Sequence, residues 1–157
     1  MDRVNKILNN ERYKKLLDEI SEFEQDRIFC KHSLAHFLDV ARISYIEVLE
    51  KQLNHHKEVI YAISLLHDIG RVLEYKEGIP HNIASAMIAE DILKGIGFTE
   101  EEENQIIKSI KEHRLKSEDS LSEIIYKSDK LSRNCFNCKS TKLCKWNDEK
   151  KNKGIEI

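Results

Sequence analysis

Four apolar stripes run through this chain at helical spacing, and each begins or ends in a histidine or an aspartate. Val59, Ile60 and Ile63 lead to the pair His67-Asp68, and Ile106 and Ile110 lead to His113. Leu121 and Ile125 lead to Asp129, while His36 opens a stripe continued by Val40 and Ile43. Residues three or four apart share one face of a helix. A polar group on a core face is costly unless it is paired or bound to a metal. Four such stripes that bury together therefore bring these groups together, which constrains the chain to a helical core with a polar centre inside it.

The rest of the pattern agrees. Every periodic segment repeats at the helical period, and no alternating strand pattern is present. One Pro and five Gly in 157 residues, with 34% charged residues, suit an all-α bundle of about six to seven helices. A short helix holds Val4, Ile7 and Leu8, and a second spans about 11–25 with Tyr13, Leu16, Leu17, Ile20 and Phe23 inward. The third, about 31–53, carries His36. Asn54 is positioned to cap the fourth, which ends at His67-Asp68 with Gly70 to terminate it. A loop over 75–80 delivers His81, and a fifth helix places Ile83, Ala86 and Met87 at helical spacing before Gly95 and Gly97. Thr99 with Glu102 forms a capping-box signal for the sixth, which leads to His113. A loop at 116–119 precedes the seventh, about 120–133, which carries Asp129. The helical domain is thus read as residues 1–133, and 134–157 as a cysteine-containing extension with a mobile, charged tail.

Net charge of −2 gives no global basic field, so neither nucleic acid nor a membrane surface is an expected partner. No apolar run reaches membrane-spanning length, and the opening residues lack a signal-peptide apolar stretch. The expected compartment is the cytoplasm, where four cysteines serve as thiols or metal ligands rather than disulfides. Self-association is left open.

The ordered series His, His-Asp, His, His, Asp on a helical frame resembles the HD-domain metal-dependent phosphohydrolases, in particular an HDIG-like subgroup. His36-Phe37-Leu38-Asp39-Val40-Ala41 is similar to the family's first-histidine helix. Leu65-Leu66-His67-Asp68-Ile69-Gly70-Arg71 is similar to its signature step, and Ser128-Asp129-Lys130-Leu131 to its final aspartate segment. The resemblance covers about residues 30–133 and implies His36, His67, Asp68 and Asp129 as ligands of one metal. It also implies His81 and His113 as the extra histidines of two-metal members, with Asp68 bridging. The chain departs from the pattern in carrying Arg71 where many HDIG members carry Lys. It lacks the additional motif of the cyclic-di-GMP-degrading subgroup, so that activity is not assigned.

Mixed imidazole and carboxylate ligands suit one or two ions of Mn, Fe, Co, Ni or Zn. Such an ion lowers the pKa of its water from about 15.7 to roughly 7, and two ions can clamp phosphoryl oxygens. The expected reaction is hydrolysis of a phosphate ester or diester by metal-activated water, on a small, nucleotide-like substrate. Asp68 is the candidate to orient or deprotonate the water, and Arg71 and Lys130 to steady phosphate charge. Arg114 and Arg133 are weaker candidates, and the loops at 75–80 and 115–120 are where specificity is expected. Each assignment has a plainer reading. His113 can serve as a helix C-terminal cap, His81 as a cap neighbour, and Arg71 as a partner of Glu74 or Glu77. Whether one metal or two is bound stays open. His32, one turn before His36, is a spare ligand or supporting donor, or an ordinary histidine, which is the preferred reading; His55 and His56 read as surface residues.

Cys135-x-x-Cys138 followed by Cys144 is the second feature, since one turn can point both thiolates of such a pair at one soft metal. Cys30 lies six residues before His36, and Cys135 six after Asp129, about 9 Å along a helix. If His36 and Asp129 meet on antiparallel helices, Cys30 and Cys135 fall at the same end. A structural zinc held by Cys30, Cys135, Cys138 and Cys144 is the leading expectation, with an iron–sulfur cluster and unliganded thiols as alternatives. Two other functions compete with hydrolysis: a non-catalytic regulatory module that senses metal or redox state, and a di-iron oxygenase, which the resemblance also allows.

Overall fold

Helix α4 (Lys57–Leu66) is the axis of the molecule because it is apolar on nearly every side. Val59, Ile60, Ala62, Ile63, Ser64, Leu65 and Leu66 are all buried. A helix that is hydrophobic all round has to be surrounded. In this computed structural model, which describes residues 1–114 and 120–155, it is enclosed by α1 (Asp2–Leu8), α3 (Leu34–Glu50), α6 (His81–Leu93), α7 (Glu100–Glu112) and α8 (Ser120–Leu131). Burying side chains such as Ile60, Ile63, Leu65 and Leu66, at roughly 1.5–3 kcal/mol each, fixes this arrangement. Helix α2 (Glu11–Phe23) packs against the short α5 (Arg71–Glu77), and α5 against α6. Beyond α8 lie two 3-10 turns, Cys135–Asn137 and Thr141–Leu143. The described residues contain no strand, and no helix among them is long and apolar enough to cross a membrane.

Caps set the helix boundaries, and several differ from the sequence reading. The Ser33 hydroxyl accepts the His36 N–H at 3.4 Å, so α3 starts at Leu34 rather than near 31, which leaves His32 outside the helix. His56, not Asn54, caps α4, its Nδ1 accepting from the Glu58 N–H at 3.3 Å. The loop expected over 75–80 is helical to Glu77, where Gly78 at φ +73° ends α5 in the left-handed region. The expected capping box of Thr99 and Glu102 is present at α7. The 116–119 loop lies outside the described residues.

Phe23, read as inward, faces out, and of the helically spaced Ile83, Ala86 and Met87 only Ala86 is buried. Phe23 is exposed and lies against the Tyr75 ring, 5.5 Å between centroids. Ile83 and Met87 are also exposed, while Ala84, Ser85, Ile88 and Ala89 form the inner face of α6. On α6 the reason is a close approach at Ala84 and Ser85 that admits only small residues there, described next.

Candidate metal centre

The chain turns sharply after α4, and that turn builds the site. The Gly70 N–H donates to the Ser85 hydroxyl at 2.8 Å, laying the α4–α5 corner on the first turn of α6. A Cβ on Gly70 would stand 2.2 Å from the Ser85 nitrogen and 2.5 Å from the His81 carbonyl oxygen. Gly70 was expected to end α4 as a cap; its φ of −73° is ordinary, and the position needs glycine for closeness instead. The contact brings His81, the first residue of α6, beside Asp68.

Around Asp68 the helices converge. One ligand atom each from His36, His67, Asp68 and Asp129 lies within 4.8 Å of the others, and so do atoms from Asp68, His81 and His113. Asp68 belongs to both groups and divides its oxygens between partners. Oδ1 stands 3.2 Å from His81 Nε2 and 3.6 Å from His113 Nε2. Oδ2 stands 3.4 Å from His67 Nε2 and 3.5 Å from His32 Nε2. Asp129 Oδ1 lies 3.4 Å from His36 Nε2 and 3.9 Å from His67 Nε2. All six residues predicted as ligands are therefore brought together.

The outer ring nitrogens fix how each histidine is presented. His67 Nδ1 meets the Ser64 carbonyl at 2.7 Å, and His113 Nδ1 the Ile110 carbonyl at 2.6 Å. A carbonyl only accepts, so each Nδ1 carries a hydrogen and each Nε2 faces the centre. His81 Nδ1 does the same against both Glu74 oxygens, at 2.9 and 3.0 Å. His36 follows through a chain. Arg133 Nη2 donates to His36 Nε2 at 2.7 Å, His36 Nδ1 then donates to the Ser132 hydroxyl at 3.0 Å, and Ser132 donates to the Asp129 carbonyl at 2.8 Å. Outer donors of this kind are how metal-binding histidines are oriented. Among the described residues, His67 Nε2, His81 Nε2 and Asp68 Oδ1 are buried without a hydrogen-bond partner. Three such atoms in one place fit a divalent cation. At His36, an ion held by Nε2 would replace the Arg133 hydrogen bond.

Charge states agree with that fit. Burial pushes His36 down to about 4, with the Arg133 guanidinium acting in the same direction. Burial also takes His81 to about 4, aided by Arg71 and His113 against the pull of Asp68 and Glu74. Both rings are neutral at neutral pH and have an Nε2 lone pair. Burial opposes charge on His67 too, but the carboxylates of Asp68 and Asp129 outweigh it and raise that ring to about 9. The proton it retains sits between two carboxylates, where a cation belongs. Burial works against ionising Asp68 and Asp129 as well, yet the surrounding histidines, with Arg71 at Asp68 and Lys130 at Asp129, hold both far below the ordinary carboxylate range.

Above the centre lies a cavity of about 240 Å³ lined by Asp68, Arg71, His81, His113, Asp129 and Lys130 together with Arg114, Tyr126, Trp146 and Lys150. Arg71 Nε approaches Asp68 Oδ1 at 3.3 Å while Nη1 pairs with Glu74 at 2.7 Å, so the plainer reading of Arg71 holds beside its place on the cavity wall. Lys130 reaches Asp129 at 3.1 Å and lies over the Tyr126 ring at 3.8 Å. Arg133 does not line the cavity; its Nη1 donates to the Lys31 carbonyl at 2.8 Å.

Five residues here have roles that the preferred sequence readings did not give them. His32 is buried and wired to the site, its Nδ1 2.5 Å from Glu24 Oε1 and its Nε2 facing Asp68, where the preferred reading made it ordinary. Glu24 also accepts from the Tyr75 hydroxyl at 2.6 Å. Its helical spacing to His36 was the one signal for His32. Glu74 was read only as a partner of Arg71, and Glu24, Trp146 and Lys150 had no signal, because nothing local ties them to the stripes. His55 and His56 stand away from the centre, His55 beside the Ser120 hydroxyl at 3.1 Å.

All four cysteines are free thiols and half-buried. Among the described residues, the two clusters whose ligand atoms lie within 4.8 Å of one another both belong to the His/Asp centre, and the cysteines are not drawn together that closely.

Comparison with known proteins places this geometry. The HD domain family model matches residues 33–134. An uncharacterized protein of Clostridium beijerinckii is 48% identical over 152 residues, covering 97% of each chain. No solved structure matches significantly.

Proposed function

Because the chain belongs to the HD domain family, whose members are generally metal-dependent hydrolases, we propose that it hydrolyses a small phosphate ester or diester of nucleotide type. The observation that carries this reading is Asp68, buried and shared by two groups of ligand atoms. His36, His67 and Asp129 would hold one divalent ion, His81 and His113 a second, and Asp68 both. When bound, such ions supply Lewis acidity toward phosphoryl oxygen and acidify water by several pKa units.

The chain's own groups supply the rest. Asp68 is kept ionised by its histidine and arginine neighbours and is the group placed to orient water or accept its proton. Arg71, Arg114, Lys130 and Lys150 line the cavity beside the carboxylates of Asp68, Glu74 and Asp129, and offer cationic contacts that suit a phosphate dianion or diester. The cavity of about 240 Å³ takes a phosphoryl head more readily than a whole nucleotide. Trp146 on its rim offers a flat face for a base or other planar group.

The test is a panel of phosphomonoesters, phosphodiesters and nucleotides, assayed with protein loaded with Mn, Fe, Co, Ni or Zn. Turnover of at least one class is expected. His67→Ala should lower it by several kcal/mol of barrier, roughly a hundredfold or more. Metal-loaded wild type that is inert across the whole panel would contradict the reading.

A further inference from the structure

Residues 134–155 make no core of their own. The two 3-10 turns bury nothing, and Phe136 and Leu143 are exposed. The segment is nevertheless laid down in a definite place. Asn152 is buried and donates to the Leu131 carbonyl at 2.7 Å, and Trp146 and Lys150 reach the rim of the His/Asp cavity. A segment without apolar burial needs a staple to stay in one position.

The four thiols fall in one neighbourhood of the segment, though not yet within 4.8 Å of one another. Cys135 and Cys138 bracket one turn, closed by the Cys138 N–H to the Cys135 carbonyl at 3.2 Å. Cys144 follows the second turn, and the Thr141 hydroxyl ties the two turns by donating to the Cys135 carbonyl at 3.3 Å. Cys30 arrives from the other end of the sequence. Arg133, two residues before Cys135, donates to the carbonyl of Lys31, next to Cys30. Arg27 donates to the Cys30 carbonyl itself at 2.9 Å. Cys30 and Cys144 line one groove of about 420 Å³, whose wall includes Arg71 and Trp146. Burial raises the Cys30 thiol, Arg133 opposes this, and Cys135, Cys138 and Cys144 lie near enough to push it up further.

We propose that Cys30, Cys135, Cys138 and Cys144 form a second metal centre, a tetrathiolate site for a soft metal, that staples the C-terminal segment beside the His/Asp cavity. A single zinc ion and an iron–sulfur cluster share this ligand chemistry. A tetrahedral zinc at about 2.3 Å from each sulfur draws the four to roughly 3.8 Å apart, so the thiols close on the ion as their protons leave. The staple sets Trp146, two residues past Cys144, as the partition between the groove and the cavity, since both include it and Arg71. Its effect on substrate rests on the hydrolase reading; the metal centre itself does not.

The experiment uses full-length protein purified anaerobically without chelators, beside Cys30→Ser, Cys138→Ser and Asp68→Ala. Zinc, iron and acid-labile sulfide are measured, and Trp146, the chain's single tryptophan, is followed by fluorescence. Wild type and Asp68→Ala should both contain the thiolate metal, and both serine variants should lose it while retaining their helical circular dichroism and His/Asp metal. Their Trp146 emission should shift to longer wavelength and be quenched more readily by acrylamide, and adding zinc or rebuilding the cluster should reverse this only in wild type stripped of metal. Zinc without visible absorption identifies the single ion, and iron with matching sulfide identifies the cluster. Wild type without such metal, Cys30→Ser that retains it, or Trp146 emission unmoved by its loss would each overturn the proposal. No step depends on turnover, so an inactive hydrolase with an intact thiolate centre remains distinguishable.

Discussion

Gly70 and Ser85 are joined by a hydrogen bond of 2.8 Å across a contact so close that a single added Cβ would stand 2.2 Å from the Ser85 nitrogen. That contact seats His81 against Asp68, so the spacing of the ligand groups depends on a residue with no side chain. Overpacking usually costs about 1–3 kcal/mol, and here the obstacle is backbone, which cannot swing away. Gly70→Ala should cost at least about 3 kcal/mol, a fall in Tm of roughly 6–12 °C. An unchanged melting curve for Gly70→Ala would refute the packing argument.

Glu24 gives the fold an acid-sensitive element. Burial favours its neutral form, but hydrogen bonds from His32 and Tyr75 and the nearby imidazole outweigh this and hold it at about 2, against an ordinary 4.5. A carboxylate whose folded pKa is depressed adds stability that is full above pH 4.5 and is lost as pH falls from there through about 2. Glu24→Gln should cost about 1–3 kcal/mol at pH 7 and flatten the loss of stability across that window. Urea midpoints at pH 7, 4.5 and 3 read both effects; parallel curves for the two proteins would contradict them.

The helices and most of the candidate ligands were legible from the apolar stripes, and His81 only from its place in the ordered series. A histidine or aspartate interrupting an apolar stripe is visible locally, and His67, His113 and Asp129 each interrupt one. What was illegible came from outside any stripe. His32 lies beyond the Ser33 cap, so its helical spacing to His36 misrepresented its position. Glu74 sits on a short helix, α5, that the sequence reading did not assign, and Trp146 comes from a segment with no periodicity. Met87 and Ile83 lie at helical spacing with Ala86, but the approach of Gly70 turns the face carrying Ala84 and Ser85 inward instead.

Glu74 supports His81 through Nδ1. Loss of a supporting partner typically lowers metal affinity 10–100-fold. Glu74→Gln should show that loss at the ion held by His81 and His113, with little change at the one held by His36 and Asp129. Chelator-competition titration resolves the two; an equal loss at both, or none, would contradict the arrangement.

Arg71 stands on the cavity wall with Nη1 on Glu74. A charge-assisted hydrogen bond to phosphate is worth about 1.5–3 kcal/mol. Arg71→Lys should therefore lower kcat/KM roughly 10–100-fold, mainly through KM, with metal content retained. A loss of metal instead of a rise in KM would assign Arg71 to holding Asp68 rather than substrate.

The most direct measurement is metal stoichiometry in wild type, His36→Ala, His113→Ala and Asp68→Ala, each in a Cys138→Ser background that removes the thiolate metal. Because Asp68 is the one residue shared by both ligand groups, its loss should empty both positions, while each histidine variant should lose one ion and retain the other. Asp68→Ala with wild-type metal content would mean that the buried His/Asp cluster is not the metal centre, and the hydrolase account would fall with it.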